Sequence, residues 1–268
     1  MKNKKIGASL SVMAIVVLAA GYAISLSPRV SQNADGLLLS VESDKTDYLP
    51  GDTVLLKFRI TNKSNTPTSI YKGSTVWDGY LKVFIAKENS GFREYFGPAW
   101  GAKDAHYKEP ITLAPGNLYE TDATVLWNQK LETSHLGKMY AKKVEKERLT
   151  TDYALAEPGT YYIKASLLNP LTNHTVESEP IEVRVNEPEG ADLEVWNRIK
   201  VDGNYGLFIQ TGGLPEHRKG PKTLKLAKDL EILISQHPSS RYSKSIRSSL
   251  TKRQELIERI EPKNPLEE

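Results

Sequence analysis

Hydroxyls beside lysines, imidazoles, paired carboxylates and clustered rings are the groups in this chain that could act chemically, and their spacing decides what each can do. Ser69-x-x-Lys72 and Ser249-x-x-Lys252 match the short pattern in which a lysine amine takes the proton of a serine nucleophile. The first lies in an expected strand or turn and the second on a polar helix face, and neither has the companion motifs of that enzyme class. His106, His135, His174, His217 and His237 never stand four residues apart, so no helix face offers two imidazoles to one metal. Asp44 and Asp47 form a turn-proximal acid pair, readable as a shared cation site or as plain solvation. Asn62-Lys63-Ser64 and Asn173-His174-Thr175 are glycosylation sequons by pattern. A Gly-x-Ser-x-Gly elbow, a phosphate-cradling loop and a calcium loop are all missing. No catalytic residue, metal or cofactor is expected.

Aromatic density is the strongest chemical signal. Phe92, Tyr95, Phe96, Trp100 and Tyr107 fall within sixteen residues, against 8% aromatics in the whole chain. With Gly97-Pro98-Ala99-Trp100-Gly101 the segment reads as a loop, and rings on loops stack on sugars or anchor protein partners. Trp100, Tyr95 and Phe96 are the expected anchors, with Trp77 of Trp77-Asp78-Gly79-Tyr80 nearby. The competing reading is that this connection covers an open end of the fold and buries its rings, because so many exposed rings invite aggregation.

The elements that must position these groups follow from pattern. The chain has 268 residues, 39% of them hydrophobic, and no cysteine, so packing without disulfides or thiol chemistry must hold it. Three lysines in residues 1–5 precede an uncharged stretch over residues 6–26, the layout of a signal peptide, with cleavage after Ala23 or Ser25, or of an uncleaved signal anchor. In both cases the body is exported. Beyond residue 27 it carries 33 basic and 33 acidic groups. That balance argues against a nucleic-acid coat, which needs clustered excess cations.

Residues 37–186 are dominated by period-two alternation, the mark of strands burying one face. Val54, Leu56, Phe58 and Ile60 alternate with Leu55, Lys57, Arg59 and Thr61; Leu81, Val83 and Ile85, then Tyr161, Ile163, Ala165 and Leu167, then Ile181, Val183 and Val185 repeat the pattern. Weaker strands are expected at 37–42, 69–71, 92–96, 111–113 and 119–127. The fold class is mainly β, an antiparallel sandwich of about eight strands. Pro50-Gly51, Pro115-Gly116 and Pro158-Gly159 each precede a strand and read as tight turns. Residues 134–156 interleave Lys138, Lys142, Lys143, Lys146 and Arg148 with Glu145 and Glu147 and read as an inserted loop or short helix.

Past the Pro/Glu/Gly segment at 186–190 the period becomes helical. Leu193, Trp196 and Ile199 suit a short helix face, 203–213 reads as a Gly-rich connection, and Gly220-Pro221 starts a helix with Ala227, Leu230, Leu233 and Ile234 inward. Tyr242, Ile246, Leu250, Arg253 and Ile257 mark a second stripe, giving a helical hairpin within residues 191–268. Residues 216–253 hold ten basic and three acidic groups, which suits an anionic surface or a solvated helix face.

The Pro-Gly-acid turn at Pro50-Gly51-Asp52 and the segment Pro158-Gly159-Thr160-Tyr161-Tyr162-Ile163 resemble the strand starts of bacterial immunoglobulin-like domains. That resemblance implies a tyrosine corner at Tyr161 and places Ile163 where such domains carry a core cysteine. The first part is also similar to sandwich domains of the bacterial proteinase-inhibitor type. Gln236-His237-Pro238-Ser239-Ser240-Arg241-Tyr242 is similar to helix junctions of tetratricopeptide-like solenoids. Together these features lead to the expectation of an exported, envelope-associated binding or assembly module without catalytic activity, partnered by an envelope protein or polysaccharide. The alternative is an extracytoplasmic proteinase inhibitor presenting the 134–156 insertion.

Overall fold

The computed structural model describes residues 36–74, 76, 79–98, 109–129, 148–214 and 220–260. The leader lies outside these residues, and among the described helices none is long and apolar enough to cross a membrane.

Eleven strands and then four helices follow in order among the described residues. One sheet has the order β1-β3-β8, with β1 at Leu37–Ser43, β3 at Val54–Asn62 and β8 at Leu118–Val125. The second has the order β2-β11-β9-β5-β6: β2 is Asp47–Tyr48, β5 Leu81–Lys87, β6 Arg93–Glu94, β9 Gly159–Asn169 and β11 Ile181–Val185. β10 (His174–Glu177) continues alongside β9, and β4 (Thr68–Tyr71) pairs with β7 (Pro110–Leu113) as a small separate ribbon. Among the described residues every pairing between named strands is antiparallel except β2 with β11.

That parallel pair reports how the sandwich closes. The chain runs antiparallel to β3 as β1, then crosses to the other sheet and adds β2 beside β11. At the crossing, one oxygen of the Asp44 carboxylate accepts from Leu55 N–H and from Tyr48 O–H, both at 2.9 Å. That one carboxylate therefore satisfies a backbone donor and a side-chain donor at the crossing.

Alternation in the sequence becomes burial directly. In β3, Val54, Leu56, Phe58, Ile60 and Asn62 are buried while Leu55 and Lys57 face water. Leu81, Val83 and Ile85 of β5 meet Ile163, Ala165 and Leu167 of β9 and complete one core between the sheets. At about 1.5–3 kcal/mol per large apolar side chain removed from water, this layer is the main stabilising term of the sandwich. The Tyr161 hydroxyl donates to the Glu157 carbonyl at 2.9 Å, the tyrosine corner of an immunoglobulin-like sandwich, and Ile163 is fully buried. The expected strand at 92–96 contracts to two residues, and β2 and β10 are additional, short strands whose pairing the local pattern does not signal.

The C-terminal part departs more from expectation. Four helices are present: α1 (Gly190–Ile199), α2 (Gly203–Thr211), α3 (Pro221–Gln236) and α4 (Tyr242–Ile260). The segment expected as a Gly-rich connection is α2, and the expected lone hairpin is the second half of this four-helix group. The reason is burial on all sides. Residues 205–211 of α2 are all buried, so no polar face marks a helical period.

Its glycines serve close packing rather than freedom. A Cβ on Gly206 would lie 2.6 Å from the Tyr153 ring, so the helix reaches the sandwich at backbone distance. α1 inserts Val195, Trp196 and Ile199, while Leu193, expected inward, is 40% exposed. The segment 186–190, read as a linker, is tied at its start by Asn186 N–H donating to Tyr48 O at 2.9 Å and passes directly into α1.

A second core holds the helices to the sandwich. Leu49, Leu126 and Tyr153 from the strand-bearing part join Val195, Trp196, Phe208, Leu230, Tyr242 and Ile246. Tyr153 meets the Trp196 ring edge-on at 5.1 Å between centroids and donates to Ile199 O at 2.8 Å. Tyr242 donates to Pro50 O at 2.7 Å. Gly51 must be glycine twice over: its φ is +71°, and a Cβ would lie 2.4 Å from Trp196. Beside it the buried Asp52 carboxylate accepts from Leu49 N–H at 2.9 Å and pairs with Lys45 at 3.1 Å and Arg241 at 3.6 Å.

Candidate functional site

Polar residues with no apparent chemistry position a cleft that the aromatic segment borders. Asn128, fully buried, donates through Nδ2 to Leu149 O at 3.0 Å and Thr151 O at 2.8 Å, and its Oδ1 accepts from Phe96 N–H at 3.0 Å. One amide thus ties three strand-end segments together. Gln210 of α2 does the same from the helical side. Its Nε2 donates to Thr124 O at 2.6 Å and to the Tyr95 hydroxyl at 3.1 Å, and its Oε1 accepts from Trp127 N–H at 2.8 Å. Sequence reasoning passed over both. The signal was a lone amide inside an apolar run, Val125-Leu126-Trp127-Asn128 and Leu207-Phe208-Ile209-Gln210, because such an amide folds only if its hydrogen bonds are met inside.

Between the edge strands β6 and β8 these ties leave a cleft of about 240 Å³, lined by Val76, Leu81, Tyr95, Phe96, Pro98 and Ala123. Lys82 and Glu94, paired at 3.1 Å, also line it, and the lysine is nearly half exposed. Thr124 adds a hydroxyl to the lining, and the remaining side chains of the wall are apolar or aromatic. The Arg148 guanidinium lies over the Phe96 ring at 3.2 Å from its centroid. Burial holds the Arg148 pKa below its ordinary value, while the Glu94 charge opposes that shift. Such a cleft can desolvate an apolar or aromatic group and orient a polar neighbour against the Lys82–Glu94 pair.

The four expected anchors divide. Tyr95 is 4% exposed and hydrogen-bonded to Gln210, so its ring contributes an inner wall rather than a surface anchor, and burial pushes its hydroxyl up to about 12. Phe96 is half-buried at the cleft. Trp100 and Trp77 lie outside the described residues. Phe92 is 38% exposed and turns to Lys164, whose ammonium lies 5.1 Å from its ring centroid.

The remaining chemical candidates have structural employment. Ser69 Oγ pairs with Thr112 Oγ1 at 3.1 Å across β4 and β7. Ser249, buried on α4, donates to Ser245 O at 2.9 Å and also meets Ile209 O, tying α4 to α2. Asp44 is engaged at the sheet crossing, and the Asp47 carboxyl is held below its usual range by the Thr46 hydroxyl and Asn186. Asn62 is fully buried with both Nδ2 hydrogens donated, to Thr66 O and Leu113 O, which removes the first sequon as an acceptor in the folded chain. Asn173 is exposed. Of the 134–156 insertion, residues 134–147 lie outside the described residues, while Tyr153, Ala154 and Leu155 are buried.

No protein-family model matches the chain, and no curated protein matches it. Among solved structures, similar ones include a β-glucosidase of Erythrobacter marinus at 10% identity and TM-score 0.27, over 56% of this chain and 15% of that one. A sporulation control protein of Bacillus subtilis is 10% identical with TM-score 0.27, over 60% of this chain and 52% of that one. The CARDB domain of a Pyrococcus furiosus protein, in complex with di-metal ions, is 9% identical with TM-score 0.26, over 56% of this chain and 87% of that one. The chain therefore spans 15% and about half of the first two of these proteins. Likenesses of this size carry nothing about function, and the sandwich assignment rests on the strand register and the tyrosine corner of the chain itself.

Proposed function

We propose that this chain is an exported, envelope-associated binding or assembly module without catalytic activity, and that the cleft between β6 and β8 receives its partner. The observation that supports this reading most is the cleft: a largely apolar wall with Phe96 at the surface and an ion pair, Lys82–Glu94, beside it. Apolar burial supplies affinity there and the ion pair orientation. The partner class is a protein or polysaccharide of the envelope that offers one apolar or ring-shaped group next to a hydrogen-bonding one.

Site-directed photo-crosslinking in the native envelope tests this. A crosslinker at Val76, half-buried on the cleft wall, is expected to capture one discrete species, whereas the same group at Leu118, 50% exposed elsewhere on β8, captures none. Thr124→Trp, which fills the cleft, is expected to abolish that product while far-UV circular dichroism stays unchanged. Equal capture from both positions, or capture indifferent to Thr124→Trp, overturns the reading. Turnover of ester, peptide or glycoside substrates that survives purification would overturn its non-catalytic half.

A further inference from the structure

The outward face of α3 carries a pattern that neither the sandwich core nor the cleft uses. Its inner side buries Thr223, Leu226, Ala227, Leu230, Leu233 and Ile234. Outside, Leu224, Lys225, Lys228 and Ile232 line one side of the helix at spacings of one, three and four residues. Leu224 is 49% exposed and Ile232 45% exposed. Lys222, Lys225 and Lys228 are exposed, and among the described residues none of the three is in an ion pair. Three lysines stand against two acids on this helix. Asp229 accepts from the Tyr205 hydroxyl at 3.1 Å on the side towards α2, and Glu231 is the one exposed carboxylate. The adjoining α4 adds exposed Lys244, Arg247 and Lys252.

We infer that this face docks on an anionic lipid surface. Lysines in excess of acids are attracted by anionic headgroups within a Debye length, and each gains little unless several act together. The two exposed aliphatic side chains among them select the partner. A membrane interface gives Leu224 and Ile232 an acyl boundary to enter, whereas a hydrated polyanion offers them nothing. The inference is independent of the cleft and survives if that reading fails.

The natural absence of cysteine makes the test clean in the full chain. An environment-sensitive dye is placed at Ile232→Cys and, as a control, at Leu118→Cys on the sandwich. Each labelled protein is mixed with phosphatidylcholine vesicles, with or without one-third phosphatidylglycerol. Any contribution of the N-terminal segment is common to both probes. The expected result is a blue shift at position 232 alone, only with phosphatidylglycerol, and lost in high salt. Lys225→Glu with Lys228→Glu is expected to weaken the midpoint by at least about tenfold, with circular dichroism confirming the fold. The same response with both vesicle types, or at both positions, overturns the inference. A response to soluble polyphosphate matching that to vesicles also overturns it and assigns the face to an anionic polymer.

Discussion

At the joint between sandwich and helices, Tyr153, Trp196 and Tyr242 pack their rings against one another's elements, and each tyrosine hydroxyl donates to a backbone carbonyl. At the cleft, the Tyr95 hydroxyl accepts instead from the Gln210 side-chain amide and is held inside by it, but Phe96 stays half-buried beneath Arg148 at the edge of an open space. The difference teaches how to read an aromatic-rich segment. A ring with a polar tip that finds an internal partner is part of the frame, and a ring without one is available to a ligand.

That comparison is broken most severely at Trp196. Trp196→Ala is expected to cost about 3–5 kcal/mol in urea unfolding, since it empties the centre of the joint opposite Gly51 and Tyr153. A loss below about 1 kcal/mol would mean that the helices are dispensable to the sandwich. Next is Gln210→Leu. It leaves Trp127 N–H and Thr124 C=O without their partners and is expected to cost about 2 kcal/mol by the same measurement. Because Gln210 spans both regions, its loss should also disturb the cleft, read as reduced crosslinking from Val76.

Phe96→Ala sharpens the contrast from the other side. The ring is only half-buried, so its truncation is expected to cost less than about 1.5 kcal/mol while removing most partner capture. A cost as large as that of Trp196→Ala would move Phe96 into the frame. The smallest effect is electrostatic. Glu120 accepts from Arg59 Nε at 2.7 Å, and Arg59 also pairs with Glu42, which together cross the outer face of β1, β3 and β8. The hydrogen bond from Arg59 holds the Glu120 carboxyl below its ordinary value. A depressed folded value means that any stabilisation is present above the unfolded carboxylate pKa and disappears as pH falls through the folded one. Titration by NMR should show Glu120 shifting below the usual range, and returning to it in Arg59→Met. Unfolding measured beside it should barely change, because the pair is solvent-screened.

How far the sequence carries depends on whether a residue's partner is near in the chain. In β3 the alternation of Val54, Leu56, Phe58 and Ile60 with polar neighbours already states which face is buried, and α3 declares itself through Pro221 and its apolar stripe. Asp47 and Tyr48 make a strand only because β11 lies beside them, and nothing local announces it. α2 is hidden for the opposite reason: surrounded by protein, it has no polar side to contrast with its apolar one. Burial of the rings was a competing reading for the segment of Tyr95, but which ring goes inside was not legible, since the partner of Tyr95, Gln210, stands 115 residues away.

The sequence by itself determined the sheet faces, the Pro-Gly turns at Gly51 and Gly116 and the inward side of α3, all of which arise from interactions along one strand, turn or helix, while the corner at Tyr161 was implied by the resemblance to immunoglobulin-like domains. Only the tertiary structure decided that four helices close on the sandwich, that Asn62 and Ser249 are spent on internal hydrogen bonds, and that Asn128 and Gln210 hold a cleft open beside Phe96. Those outcomes depend on which distant groups meet and on whether each buried donor finds its acceptor, a condition set by three-dimensional packing and not by periodicity.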